Sequence, residues 1–186
     1  MLEHFGSEAQ VVAINASSDA PMREYLLKYD TLHGRFGGEV RVDGDHLMVN
    51  GKRVEVVRER DPGKCPWKQL GVDVVVEASG KFRSREACQP HLDAGAKAVV
   101  ITAPPKDDVA MIVRGVNDAD IQKSLPILSA ASCTTNCIAP VIKVLDEKIG
   151  ILKGLVCTTH AYTTSQNLLD NSTDSSKIRI ARAAAL

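Results

Sequence analysis

The stretch "ILSAASCTTNCIAP" (127–140) places two thiols four positions apart among hydroxyl and amide side chains. Residues of these types could be metal ligands, a redox pair, a nucleophile with a bystander, or small core residues. "PILSA" reads as a strand and "CIAPVIKVLDEKIG" as a helix. The turn Ser132-Cys133-Thr134-Thr135-Asn136 between them therefore delivers Cys133 to the start of a helix. A thiol there faces unpaired backbone N–H groups and the positive end of the helix dipole, and both favour the nucleophilic thiolate. The same N–H groups can hold an oxyanion or a phosphate. Cys137 lies one helical turn deeper and is expected to face inward as a small buried residue.

A nucleophilic cysteine needs a base. His160 lies in "GLVCTTHAYTT" (154–164), 27 positions after Cys133. Read as a strand following the helix, this segment returns the chain to the same edge of a sheet, where Cys133 and His160 could meet. Cys133-x3-Cys137 with Cys157-x2-His160 superficially resembles paired zinc ligands. Residues three apart on a strand point to opposite faces, however, so Cys157 and His160 could not share one ion, and no metal is expected.

The elements that must position this turn alternate along the chain. "QVVAIN" (10–15) reads as a buried strand, and Pro21 opens a helix with Met22, Tyr25, Leu26 and Tyr29 at helical spacing. Residues 39–58 alternate apolar and polar around an Asn50-Gly51 hairpin turn. "DPGKCP" (61–66) reads as a loop, and "VDVVVEASG" (72–80) as a second buried strand. A helix follows from Ser84, its N-cap, to Gly95, with Pro90 expected to kink or shorten it. "KAVVIT", "VAMIVRG" and "PILSA" are three further expected strands. Strands separated by short helices point to an α/β, doubly wound parallel sheet with an antiparallel excursion at 39–58.

Bulk properties set the remaining bounds. The chain has 186 residues, 44% hydrophobic and 25% charged, as in a globular protein. Its 23 basic and 23 acidic residues cancel, so no net field draws it to nucleic acid or an anionic membrane. No apolar run reaches membrane-spanning length, and "MLEHFGSEAQ" lacks the regions of a signal peptide. Five cysteines are an odd number without disulfide-framework spacing, which suggests a reducing, cytoplasmic compartment.

With the cysteine turn and His160 in place, the chain resembles glyceraldehyde-3-phosphate dehydrogenase, whose active-site signature is "ASCTTNC". "YDTLHGRF" (29–36), "ERDP" (59–62), "ASG" (78–80), "TAP" (102–104), "GVN" (115–117) and "THAYT" (159–163) follow in that family's order. The related erythrose-4-phosphate dehydrogenases share the cysteine turn, while "ERDP" and "TAP" lean toward the glyceraldehyde enzyme. The resemblance implies oxidation of glyceraldehyde 3-phosphate, with a nicotinamide cofactor and inorganic phosphate, to 1,3-bisphosphoglycerate. Cys133 would form a hemithioacetal and then a thioester, with His160 as the base. Ser132, Thr134 and Thr163 would bind phosphate groups. Asn15, Ala16, Ser17, Arg60, Ser79, Gly80 and Thr102 would line the dinucleotide. A homotetramer is implied for the parent enzyme. Two other readings are a degenerate module that keeps a reactive cysteine and a thiol hydrolase built on Cys133 and His160.

An acid after the second strand of a dinucleotide fold binds the adenosine ribose and repels a 2′-phosphate. Where NAD-specific members of the family carry Asp after the Asn, this chain has Ala16, followed by Ser17 and Ser18, which could bind a 2′-phosphate. NADP is therefore expected to be preferred over NAD, with Asp19 as a carboxylate that could return to the ribose.

A dinucleotide fingerprint would need a glycine-rich turn about 20 residues before the ribose-reading position, and the residues before Asn15 contain none. The expected architecture is thus a Rossmann-type sheet lacking its first strand (1–132), followed by the start of an α+β catalytic domain (133–186). On that reading the chain alone would be an inactive fragment. Its compartment would be the cytoplasm, with a plastid address left open.

Overall fold

The computed structural model describes residues 8–30, 34–124 and 126–161. They fall into two compact units, Met1–Lys148 and Ile149–Leu186.

The first unit opens with β1 (Ala13–Asn15) and α1 (Ala20–Lys28). Asp19 caps α1 by accepting the Met22 N–H at 3.1 Å, and Pro21 sits in the first turn, where its missing N–H costs nothing. The chain continues through the short pair β2 (Tyr29–Asp30) and β3 (Gly34–Arg35). A meander follows, β4 (Val40–Asp43), β5 (His46–Val49) and β6 (Lys52–Val57). Its second turn has φ of +51° at Asn50 and +76° at Gly51, the left-handed pair that a two-residue hairpin requires. The meander docks on β1 through β6, in the order β1-β6-β5-β4, with β1 and β6 parallel and the other pairs antiparallel. Val40, Leu47, Val49 and Val54 project from its inner face, with Ala20, into one hydrophobic core.

β7 (Val74–Glu77), α2 (Arg85–Asp93), β8 (Ala98–Ile101), α3 (Ile121–Ser124) and β9 (Ile127–Ser129) form the second half, before α4 (Cys133–Ile149). β7, β8 and β9 make a parallel three-stranded sheet. Its core holds Cys65, Trp67, Val75, Cys88, Val99, Ile101 and Ile127, with Val12, Ala13 and Val57 of the neighbouring sheet packed against it. β1 pairs only with β6 and β7 only with β8 among the described residues, so the two sheets share no strand pairing.

Several expectations are corrected. β7 is not buried on both faces: Val75 and Glu77 point inward, whereas Val74 and Val76 are half exposed. α2 is capped by Ser84 as expected, its hydroxyl accepting the Ala87 N–H at 3.2 Å, but it runs past Pro90 to Asp93, with the Ala94 N–H bonded to the Pro90 carbonyl at 3.0 Å. "VAMIVRG" is not a strand. Only Met111 bridges to Ser129, because the Asn117 side chain takes the Val113 N–H at 2.8 Å and the Met111 carbonyl at 3.0 Å and curls the segment. The Met22, Tyr25, Leu26 and Tyr29 stripe of α1 faces solvent, and Ala20 is that helix's buried residue.

In the second unit, residues 151–161 are exposed and belong to no sheet among the described residues, so the strand expected at 154–164 is not formed there. A strand is a pairing, not a local conformation, and its residue types alone do not create it.

Candidate active site

β9 ends at the turn that the sequence singled out. Ser132 is the N-cap of α4: its hydroxyl accepts the Thr135 N–H at 2.9 Å and lies 2.7 Å from the Thr135 hydroxyl. Cys133 is the first residue of a 17-residue helix and is exposed. The helix therefore begins at Cys133 itself, earlier than the apolar run from Cys137 suggested. Thr134 is half-buried in the same turn. Cys137 is exposed, not inward-facing, because α4 buries none of its residues against the described part of the chain.

The turn is tied to the end of β8. The Ala130 N–H donates to the Ile101 carbonyl at 2.9 Å, and the Ser129 hydroxyl donates to the Ala103 carbonyl at 2.7 Å. Thr102, between these two residues, is exposed and donates both its N–H and its hydroxyl to the Glu77 carbonyl at 3.0 and 3.1 Å. Glu77 also receives the Ser79 N–H on its carboxylate at 2.7 Å. Ser79, Gly80 and Thr102 are thereby assembled at the carboxyl ends of β7 and β8, where open α/β sheets bind ligands. Gly80 has φ of +72°, and open space surrounds the position a Cβ would take, so the backbone there is approachable.

Glu77 is a buried charge with a defined support. The Trp67 indole N–H can only donate, and it does so to His91 Nδ1 at 3.0 Å. That assigns the His91 proton to Nε2, which faces the other Glu77 oxygen at 3.3 Å. Burial alone would raise the Glu77 carboxyl, but the hydrogen bonds from His91 and Ser79 outweigh it and hold the group below its ordinary range. Sequence inspection gave Glu77, His91 and Trp67 no role. The available signal was an acid closing the apolar run "VVVE".

A second cluster lies at the end of β1. The Asn15 amide donates to the Glu59 carbonyl at 2.9 Å and its oxygen accepts the Glu59 N–H at 3.0 Å, which draws the Arg60 loop against the strand end. Ala16 follows, half-buried and bonded through its N–H to the Val57 carbonyl at 3.0 Å. Ser17 and Arg60 are exposed. Ser18 Oγ is buried without a hydrogen-bond partner. An orphaned hydroxyl that follows an exposed serine in the sequence suits the polar end of a nucleotide.

His160 belongs to the second unit, where it is exposed and its Nδ1 lies 2.6 Å from the Ala161 carbonyl. Thr163 lies outside the described residues. The premise that set Cys157 and His160 on opposite faces of a strand is absent. Independently, no three His, Cys, Asp or Glu side chains among the described residues are grouped to hold a metal ion. No helix among the described residues is long and apolar enough to cross a membrane.

Comparison with known proteins adds to this geometry. The family described as "Glyceraldehyde 3-phosphate dehydrogenase, NAD binding domain" matches residues 3–85, and its C-terminal-domain counterpart matches residues 132–186. The chain is 50% identical over 177 residues to a glyceraldehyde-3-phosphate dehydrogenase of Clostridium pasteurianum, covering 95% of this chain and 53% of the relative. It is 49% identical over 179 residues to that of Geobacillus stearothermophilus, covering 96% and 53%. To the chloroplastic A form of Chlamydomonas reinhardtii it is 48% identical over 178 residues, covering 95% and 47%. The chain spans about half the length of the curated relatives it matches.

Proposed function

The chain belongs to the glyceraldehyde-3-phosphate dehydrogenase family, and we propose that it supplies the nucleophile and most of the cofactor-binding edge for phosphorylating oxidation of glyceraldehyde 3-phosphate. The observation that carries this reading is Cys133 exposed at the first position of a long helix behind a hydrogen-bonded turn. Residues 1–132 would contribute to the dinucleotide-binding domain and 133–186 to the catalytic domain.

The Cys133 thiolate attacks the aldehyde carbon and forms a hemithioacetal whose oxygen sits near the N–H groups opening α4. His160 takes the hydroxyl proton as the carbonyl re-forms and hydride departs, leaving a thioester on Cys133. Bound nicotinamide supplies the hydride acceptor. Inorganic phosphate then attacks the thioester carbon, releasing the thiolate and 1,3-bisphosphoglycerate. Thr134 and Thr163 would hold the substrate's phosphate or the attacking one. The Ser132 hydroxyl is engaged as a cap, so its contribution is to keep the helix start in place as well as to bind phosphate.

For the cofactor, Asn15 with Arg60 would hold the adenosine side, and Ser79, Gly80 and Thr102 the stretch toward the nicotinamide. NADP over NAD is supported by three features together: Ala16 in place of an acid, the unpartnered Ser18 hydroxyl, and commitment of Asp19 to the α1 cap. A homotetramer in the cytoplasm completes the reading, with a plastid form kept open by the chloroplastic relative.

The test is NADPH and NADH formation from glyceraldehyde 3-phosphate, with and without inorganic phosphate, beside Cys133→Ser. In a full-length enzyme carrying this chain, phosphate-dependent turnover, faster with NADP and abolished in the variant, is expected. Turnover that survives Cys133→Ser would overturn the thioester route. Equal or better use of NAD would overturn the cofactor preference alone.

A further inference from the structure

Ala131 adopts a backbone conformation that L side chains avoid, with φ of +61°, and it is only 2% exposed. The other non-glycine residue with positive φ among the described residues is Asn50, a residue type that tolerates it, in a hairpin turn. A strained residue persists only where its surroundings over-determine it. Here two side chains do so. Ser129 Oγ accepts the Ala131 N–H at 3.0 Å while donating to the Ala103 carbonyl at 2.7 Å. The Asn136 amide, one turn into α4, donates to the Ala130 carbonyl at 2.7 Å and to the Ser132 carbonyl at 2.9 Å. The carbonyls on both sides of Ala131 are thus held by one side chain, and its own N–H by another. Were Ala131 to relax to a right-handed conformation, the first turn of α4 would swing away from the end of β8.

We infer that Ser129 and Asn136 are positioning residues for the thiol. By locking Ala131 in the left-handed region they hold Cys133 at the first position of α4, at the positive end of the helix dipole. This rests on the reading of Cys133 as the nucleophile. Neither residue needs to touch substrate. Their work is to fix the direction in which the helix leaves the strand, and so the electrostatic setting of the thiol.

The five cysteines provide the assay. Cys137 and Cys157 are exposed references, and Cys65 and Cys88 are buried reporters of an intact fold. Iodoacetamide labelling of each cysteine is followed by mass spectrometry from about pH 5.5 to about pH 10, with the full chain, Asn136→Ala and Ser129→Ala. Cys133 should label fastest in the parent, with a midpoint below the roughly 8.5 of a free thiol. In either variant the midpoint should rise by about one pH unit. A more basic thiolate is intrinsically more nucleophilic, so the rate should fall about threefold near pH 7 and rise about 2.5-fold near pH 9.5. Such a crossing of profiles is not produced by unfolding, which would show as labelling of Cys65 and Cys88. Should Ser129→Ala expose those two thiols, Asn136→Ala decides the matter, because its side chain is exposed and its removal leaves no void. Parent Cys133 labelling no faster than Cys137 and Cys157 would overturn the nucleophile reading, and the positioning role with it. Fast parent labelling with superimposable variant profiles would overturn the positioning role alone.

Discussion

Raising the pH through the range from 9 to 11 should loosen the fold through Cys65 and Cys88. Burial pushes the Cys65 thiol up from 9.0 to about 11, and the carboxylates of Glu59 and Asp61 push the same way. Cys88 is raised to about 11 by burial and then by Glu77 and Asp107. The two side chains sit in one core with Trp67, at 4% and 0% exposure. Unfolded thiols ionise near 9, so within this window the unfolded chain sheds protons that the folded chain keeps. Stability is therefore unaffected below about pH 9 and falls by about 1.4 kcal/mol per pH unit for each thiol above it. Across the window the pair removes on the order of 5 kcal/mol, the lower end of the whole stability of a domain. Urea unfolding, followed by the fluorescence of the single tryptophan, Trp67, at steps from about pH 8 to about pH 11 measures this. Cys65→Ala and Cys88→Ala should each flatten the alkaline slope by about 1.4 kcal/mol per pH unit, and the double variant should remove most of it. An alkaline slope as steep in the double variant as in the parent would refute the argument.

Two further outcomes can be checked with the same unfolding measurement. Because Glu77 is held charged below its ordinary range, its contribution is present above the unfolded carboxylate pKa and is lost as pH falls through the folded one. Glu77→Gln should cost about 1–3 kcal/mol at neutral pH and flatten the acid limb, and an unchanged acid limb would remove Glu77 as its source. Gly95→Ala places a methyl on a residue with φ of +109°, 2.9 Å from the Lys68 backbone, which is itself bonded to the Ala94 carbonyl at 3.0 Å. A loss of more than about 2 kcal/mol is expected, and a variant melting with the parent would show that the Lys68 turn yields more easily than its hydrogen bond suggests.

The residues that act locally were legible in the sequence. Asn50-Gly51 dictates its own turn, and Ser84 dictates a helix start through its oxygen, whereas Asp19, read only as a possible ribose ligand, proved to be the cap of α1. What depends on distant partners was not. "VAMIVRG" has the composition of a strand, but Asn117 takes the Val113 N–H and the Met111 carbonyl, leaving only a single bridge to Ser129. "VVV" (74–76) is uniformly apolar, but its alternate residues meet different surroundings. In the site, the thiol and its turn could be read from residue types, because a helix start is a local event. The support beneath could not. Glu77, His91 and Trp67 meet only when β7, α2 and the loop ahead of β7 are packed, and the left-handed Ala131 is held by side chains on both sides of the turn. His160 belongs to the part of the chain whose pairing the local pattern did not determine.

The separation of the meander from the parallel sheet within the first unit has a consequence for the order in which it folds. β4, β5 and β6 are joined by two-residue turns at 44–45 and 50–51, so each pairing closes a very short loop. β7, β8 and β9 are joined through residues 78–97 and 102–126, and none of their pairings can form until a long segment has been brought round. Since closing long loops delays the contacts that reward them, the meander is the early half and the parallel sheet that leads into Cys133 is the late one. The turn that carries the thiol is thus placed after the meander has paired.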